Sequence, residues 1–217
     1  MDAEKVRLLK SLTSYLHNRG ITATLSKEPA PASLSLDRRE QVVTVQGSNI
    51  DRIVVEASPY VSCGGRSDAY RFKYELALNT SLSPALIKQI NTSMKPIRSR
   101  KANGLGTSAV IEVIWHGQEL AERLNTDKEL TGTLLEAAKQ TDYPEIEIFA
   151  GTATVVTILG PWFSEPPHFL KSGNGTSAIS GNDGLYRLET YERIAEHIKK
   201  VISSTRISEK TGVSTLD

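Results

Sequence analysis

Hydrophobic positions along this chain repeat with two periods, and the changes between them mark out its elements. Over residues 3–19, Val6, Leu9, Leu12 and Leu16 recur at helical spacing, and Leu8 and Tyr15 widen the stripe, so the pattern predicts an amphipathic helix. Gly20 is its expected stop, because glycine takes the left-handed conformation that ends helices without a Cβ clash. Ile21–Leu25 then alternates apolar and polar, as a strand does. After a loop stiffened by Pro29 and Pro31, two short strands are predicted at 41–46 and 52–57, with Gly47–Asn49 as the turn between them. A longer strand follows at 70–78. Tyr70, Phe72, Tyr74, Leu76 and Leu78 share one face, and Arg71, Lys73 and Glu75 share the other. Residues 58–68, with Pro59, Cys63, Gly64 and Gly65, are expected as the hairpin loop between these strands.

Ser83 and Pro84 make a helix start, a capping hydroxyl followed by proline at the first helical position. Leu86, Ile87, Ile90 and Met94 continue the helical stripe to Pro96. Residues 95–106 then read as a basic loop ending in glycines, and 109–115 as an apolar, β-branched interior strand. Two helical pieces follow, 118–125 and 126–140, and the capping-box spacing of Thr126 and Glu129 starts the second. A hairpin is predicted from 145–149 and 153–159. Residues 160–184 have no period. They are rich in proline and aromatics first, then in glycine, serine and asparagine, so they read as a long loop. Tyr191, Ile194, Ala195, Ile198, Val201 and Ile202 define a last helix over 186–202, and 204–217 reads as a flexible polar tail.

The expected order is α-β-β-β-β-α-β-α-α-β-β-α. Short connections require antiparallel neighbours, and amphipathic stripes require a sheet face to cover. The prediction is therefore an α+β fold, a mostly antiparallel sheet with its helices on one face. It forms a single domain over 1–203 that also divides into subdomains 1–104 and 105–203 sharing a core. Strict β/α alternation is missing, which excludes a doubly wound nucleotide-binding sheet.

With 39% hydrophobic and 24% charged residues among 217, the composition is that of a globular protein rather than a disordered chain. The net charge of +1 argues against coating nucleic acid through bulk charge, yet it conceals two blocks. From Arg66 to Lys101 there are eight basic residues against two acidic, and from Gly117 to Glu147 eight acidic against three basic. A single cysteine, Cys63, allows no internal disulfide. The charged opening lacks the apolar run of a signal peptide, and no stretch approaches the roughly 20 apolar residues of a membrane span. The expectation is a soluble, cytoplasmic protein without a membrane partner, in which the sequons at Asn79, Asn91 and Asn174 are chance.

Little of the candidate chemistry is specific. Cys63 lies in a glycine-flanked loop beside Arg66, and with His116 as base it would make a nucleophile; a small residue in a hairpin loop explains it equally. His17, His116, His168 and His197 have no ligand spacing, so neither a metal nor a cofactor is expected. Asn103–Gly106 precedes a strand, where a dinucleotide loop has to follow one. Two segments remain. Lys95, Arg98, Arg100 and Lys101 set four cations within seven residues, a docking place for an anionic ligand or an acidic protein surface. Trp162 and Phe163, with His168 and Phe169 beyond, set aromatics among prolines, a composition suited to partner recognition. Nucleic acid is the less favoured partner, since no aromatic interleaves the basic run. The reading is a non-enzymatic interaction module that binds a protein or an anionic ligand through 95–106 and 160–184. The alternative is a small cytoplasmic hydrolase or transferase with a site between the two halves, using Cys63. No residue pattern speaks to oligomeric state.

Overall fold

A computed structural model of the chain describes residues 3–26, 39–62, 65–78, 82–98, 110–140, 146–151, 155–163 and 188–211. Its first half comprises α1 (Ala3–Asn18), β1 (Thr22–Leu25), β2 (Arg39–Gln46), β3 (Arg52–Ser62), β4 (Gly65–Ala77) and α2 (Pro84–Ile90). The second comprises β5 (Thr92–Arg98), β6 (Val110–Gly117), α3 (Glu119–Thr126), α4 (Lys128–Gln140), β7 (Ile146–Ala150), β8 (Val155–Phe163) and α5 (Leu188–Thr211). All eight strands join one sheet in the order β1-β2-β3-β4-β8-β7-β5-β6, and every neighbouring pair is antiparallel. The fold is α+β, as the periodicity implies.

Local signals account for several boundaries. Gly20 closes α1 with φ +75°, its amide donating to the His17 carbonyl while the Ile21 amide donates to Leu16. Ser83 caps α2, its hydroxyl accepting from the Leu86 amide at 3.2 Å. The cap of α4 is not Thr126, as the capping-box spacing suggests, but Asp127. Its Oδ1 accepts from the Leu130 amide at 3.0 Å, whereas the Thr126 hydroxyl donates back to the Arg123 carbonyl.

Six elements differ from expectation. The helix expected to continue to Met94 ends at Ile90, and Thr92–Arg98 is a strand. Ile90 and Met94 satisfy helical spacing, but Thr92 and Met94 also satisfy the two-residue period. The segment pairs with β6 on one side and β7 on the other, where it makes more hydrogen bonds than a helix end would. The strand after it, β6, stands at the sheet edge rather than inside it. Of its apolar residues, Val110, Val113 and Trp115 are buried in the core cluster that the helices share. β3 and β4 run on through most of the expected loop and pair down to Ser62 opposite Gly65, and β8 runs through Gly160 and Pro161 to Phe163. α5 continues past Ile202 to Thr211.

The core lies on one face of the sheet. Register lines up Val43, Ile53, Tyr74, Ile158 and Ile148 across five strands, and all are buried. Buried residues of all five helices belong to the same cluster. Tyr191 of α5 stacks on Tyr74 with ring centroids 4.1 Å apart and 18° between the planes. Gly160 makes that approach feasible, since a Cβ there would stand 3.2 Å from both the Phe72 carbonyl and the Tyr191 hydroxyl. Burial, with Tyr191 and Tyr15 close by, pushes the Tyr74 hydroxyl well above the ordinary tyrosine value.

Candidate functional site

Antiparallel order through eight strands gives the sheet two unlike ends. At one end the chain turns tightly: β2 to β3, β6 into α3, and β7 to β8. The other end is where β1, β3, β8 and β5 finish and where β2, β4, β7 and β6 begin. The segments 27–38, 99–109 and 164–187 all depart from there. β5 and β8 flank β7 and are parallel to each other, about 10 Å apart at two strand spacings where they pair with it, and both run on past its first residue toward this end.

Lys95 is exposed on the helix-free face of β5 rather than in a loop, and Arg98 is the last residue of that strand. Arg100 and Lys101 lie outside the described residues, as does the Arg98 side chain. Trp162 and Phe163 are strand residues too, and correct the expectation of a loop starting at 160. Their backbones stand opposite Arg71 and Tyr70, and their side chains lie outside the described residues. The strand survives Gly160 and Pro161 because register shifts there: Lys73 pairs with Leu159 but Arg71 with Trp162. One extra residue in β8 forms a bulge that accommodates a proline without an amide to donate. The basic and aromatic segments therefore leave the same end of the sheet, from β5 and β8 beyond the point where β7 begins.

A charged cluster that no sequence motif marks lies on the face of the sheet opposite the core cluster. Glu56 of β3 is fully buried, and its Oε2 accepts from Arg71 Nη2 at 3.0 Å and faces Lys73 Nζ at 3.2 Å. Register makes Glu56 and Arg71 direct cross-strand partners, with Trp162 next in the row. Burial pushes the Glu56 carboxyl upward, but the Arg71 and Lys73 charges outweigh burial and hold it below the ordinary value. Val42, Val54 and Leu159 are buried on the same face. A carboxylate set among Ile53, Val54, Val55 and Ala57 was the available signal, since an acid inside an apolar strand has to find cations. Two cations of the basic block are thus paired within the fold.

The histidines separate as well. His116 is exposed on β6. His17 and His197 both make contacts: His17 Nε2 lies 3.1 Å from the Ala23 carbonyl, and His197 pairs with Asp127 across the α4–α5 contact. Cys63 lies outside the described residues. Among the described residues no three His, Cys, Asp or Glu side chains gather as metal ligands, and no helix is long and apolar enough to cross a membrane.

An open groove of about 720 Å³ runs between α4 and α5, with Lys128, Glu129, Glu136, Glu189, Arg193 and Glu196 among its lining residues. Several of its polar groups bond to one another or to the adjoining turn. Arg19 pairs with Glu189, the Ser48 hydroxyl donates to Glu192, and Arg193 donates to the Thr133 hydroxyl at 2.8 Å. Their polar valence is used in tying α5 to its neighbours, which makes the groove a weaker candidate than the loop-bearing end of the sheet. Compared with protein-family models, curated proteins and solved structures, the chain matches none.

Proposed function

We propose that this chain is a binding module whose recognition surface is the end of the sheet where β5 and β8 finish, and that it binds an acidic, partly apolar surface of another protein. The observation that carries this is the parallel exit of those two strands, which sends the Lys95–Lys101 basic run and the aromatic segment beginning at Trp162 from neighbouring points. The chemistry there is mixed. Ile97 and Ile111, 36% and 58% exposed, lie on the β5–β6 pair beside Lys95 and Arg98. Cations alone would suit any anion; cations bordered by exposed isoleucines favour a protein that offers carboxylates around an apolar contact.

The test is affinity capture with wild type and with a variant carrying Lys95→Glu, Arg98→Glu, Arg100→Glu and Lys101→Glu, after nuclease digestion. Bound proteins should be lost from the variant, and from wild type as salt shortens the Debye length from about 10 Å at 0.1 M to about 3 Å at 1 M. A bound set unchanged by charge reversal sinks the reading. A bound set that disappears with nuclease alone assigns the surface to nucleic acid instead.

A further inference from the structure

Among the described residues β6 is the last strand of the sheet, and the pairing groups on its outer side form a template for another strand. The register identifies them. Met94 and Trp115 are cross-strand partners, as are Pro96 and Val113. Both Trp115 backbone groups are bonded to a side chain beyond the edge. The Trp115 amide donates to Asn125 Oδ1 at 2.9 Å, and Asn125 Nδ2 donates to the Trp115 carbonyl at 2.9 Å. Alternation along an antiparallel pair then turns the groups of Val113 outward too, and it turns Pro96, which has no amide, toward β7, where pairing with β5 stops at Met94.

A carboxamide offers one acceptor and a donor in a single plane, the arrangement a peptide group of the next strand would present. Asn125 sits in the last turn of α3, whose Leu120, Ala121 and Leu124 are buried, so the side chain is held in place by a packed helix. The opposite edge is treated alike. Val45 uses its amide on Asp51, so its partner Ala23 faces outward, and His17 of α1 meets the Ala23 carbonyl. That edge strand is only four residues long. β6 has eight, with the run Val110–Ile114 rich in β-branched residues and Ile111 exposed.

We propose that Asn125 is an edge guard, and that the strand it excludes is β6 of a second copy of this chain. Two identical β6 edges are self-complementary across a twofold axis, and the β-branched run supplies the propensity for pairing.

The experiment is light scattering over a concentration series, together with hydrogen exchange at the Trp115 amide, on wild type, Asn125→Ala, and Asn125→Ala combined with Ile111→Lys. Wild type should hold one size at all concentrations. Asn125→Ala should grow with concentration, and in dilute solution its Trp115 amide should exchange more than about 10-fold faster. Lysine at 111 should restore the wild-type size, because a charge on an edge strand opposes pairing. A folded Asn125→Ala protein that stays at wild-type size overturns the proposal, as does association that lysine at 111 leaves unchanged. Wild type that itself associates through β6 also overturns it. Should the alanine variant not fold, Asn125→Asp keeps the acceptor for the Trp115 amide, loses the donor, and is judged by the same readouts.

Discussion

At the tight end of the sheet, the side chains of Asp51, Asn91 and Thr92 tie neighbouring strands together; at the other end, where only two residues join β3 to β4, three long segments leave the sheet. Asp51 shows the first arrangement. Its amide donates to the Glu75 carbonyl, its carbonyl accepts from Val45, and its carboxylate takes both the Ala77 amide and Lys199 of α5. Asn91 accepts from the Ala150 amide, and the Thr92 hydroxyl donates to the His116 carbonyl at 2.5 Å. These bonds fix the register of four strand pairs where the chain turns. At the opposite end the sheet is held by what lies on its faces: the Tyr70 and Phe72 side of β4 in the core, and Glu56 with its two cations on the reverse. The difference separates two tasks. Among the described residues, the bonds of Asp51, Asn91 and Thr92 fix register at one end, and the segments 27–38, 99–109 and 164–187 leave from the other.

Substitutions at each end test this division. The largest effect is expected from Glu56→Gln, which leaves Arg71 and Lys73 in a largely buried place without a full counter-charge; urea unfolding should show a loss of about 3 kcal/mol. The pH dependence has a definite sign. A carboxyl held below its unfolded value of about 4.3 contributes fully above that pH and loses its contribution as pH falls through the folded value. The gap between wild type and variant should therefore close in acid, and a constant gap would show that the ion pairs are not its source. Next is Gly117→Ala at the tight end. There φ is +155°, and a Cβ would stand 2.7 Å from the Thr92 hydroxyl and 2.9 Å from the Asn91 carbonyl. A loss of about 2 kcal/mol in thermal unfolding is expected, and an unaffected midpoint would mean that this connection is not the tight one. The smallest effect is expected from Lys95→Glu with Arg98→Glu, which should shift stability by less than about 0.5 kcal/mol while abolishing partner capture. A larger destabilisation would make these cations part of the scaffold rather than of a recognition surface.

How far each feature was legible follows from the range of the forces involved. α1 and the apolar stripe of α5 were readable because a helix buries a stripe set by local spacing, and Tyr70–Leu78 because alternation on one face is equally local. β5 was missed because Ile90 and Met94 fit either period, and only β6 and β7, one of them some fifty residues downstream, decide between them. Gly160 and Pro161 looked like a strand end; a bulge against β4 and the need for Tyr191 to approach made them strand interior. Of the candidate residues, the placement of Lys95, Arg98, Trp162 and Phe163 on strands rather than in loops was not readable. The Glu56 cluster left only the trace of an acid in an apolar run.

By itself, the order of residues determined the class of fold, the faces that α1 and α5 bury, the caps at Gly20 and Ser83, and the presence of a basic run and an aromatic segment. These depend on periodicity and local conformational preference, which act within a few residues. Tertiary structure alone decided that β6 is an edge, that β4 and β8 join the halves into one sheet, that Asn125 and His17 meet the outer strands, and that β5 and β8 end side by side. Those outcomes depend on hydrogen bonds and burial between segments far apart in the chain, whose partners no local pattern names.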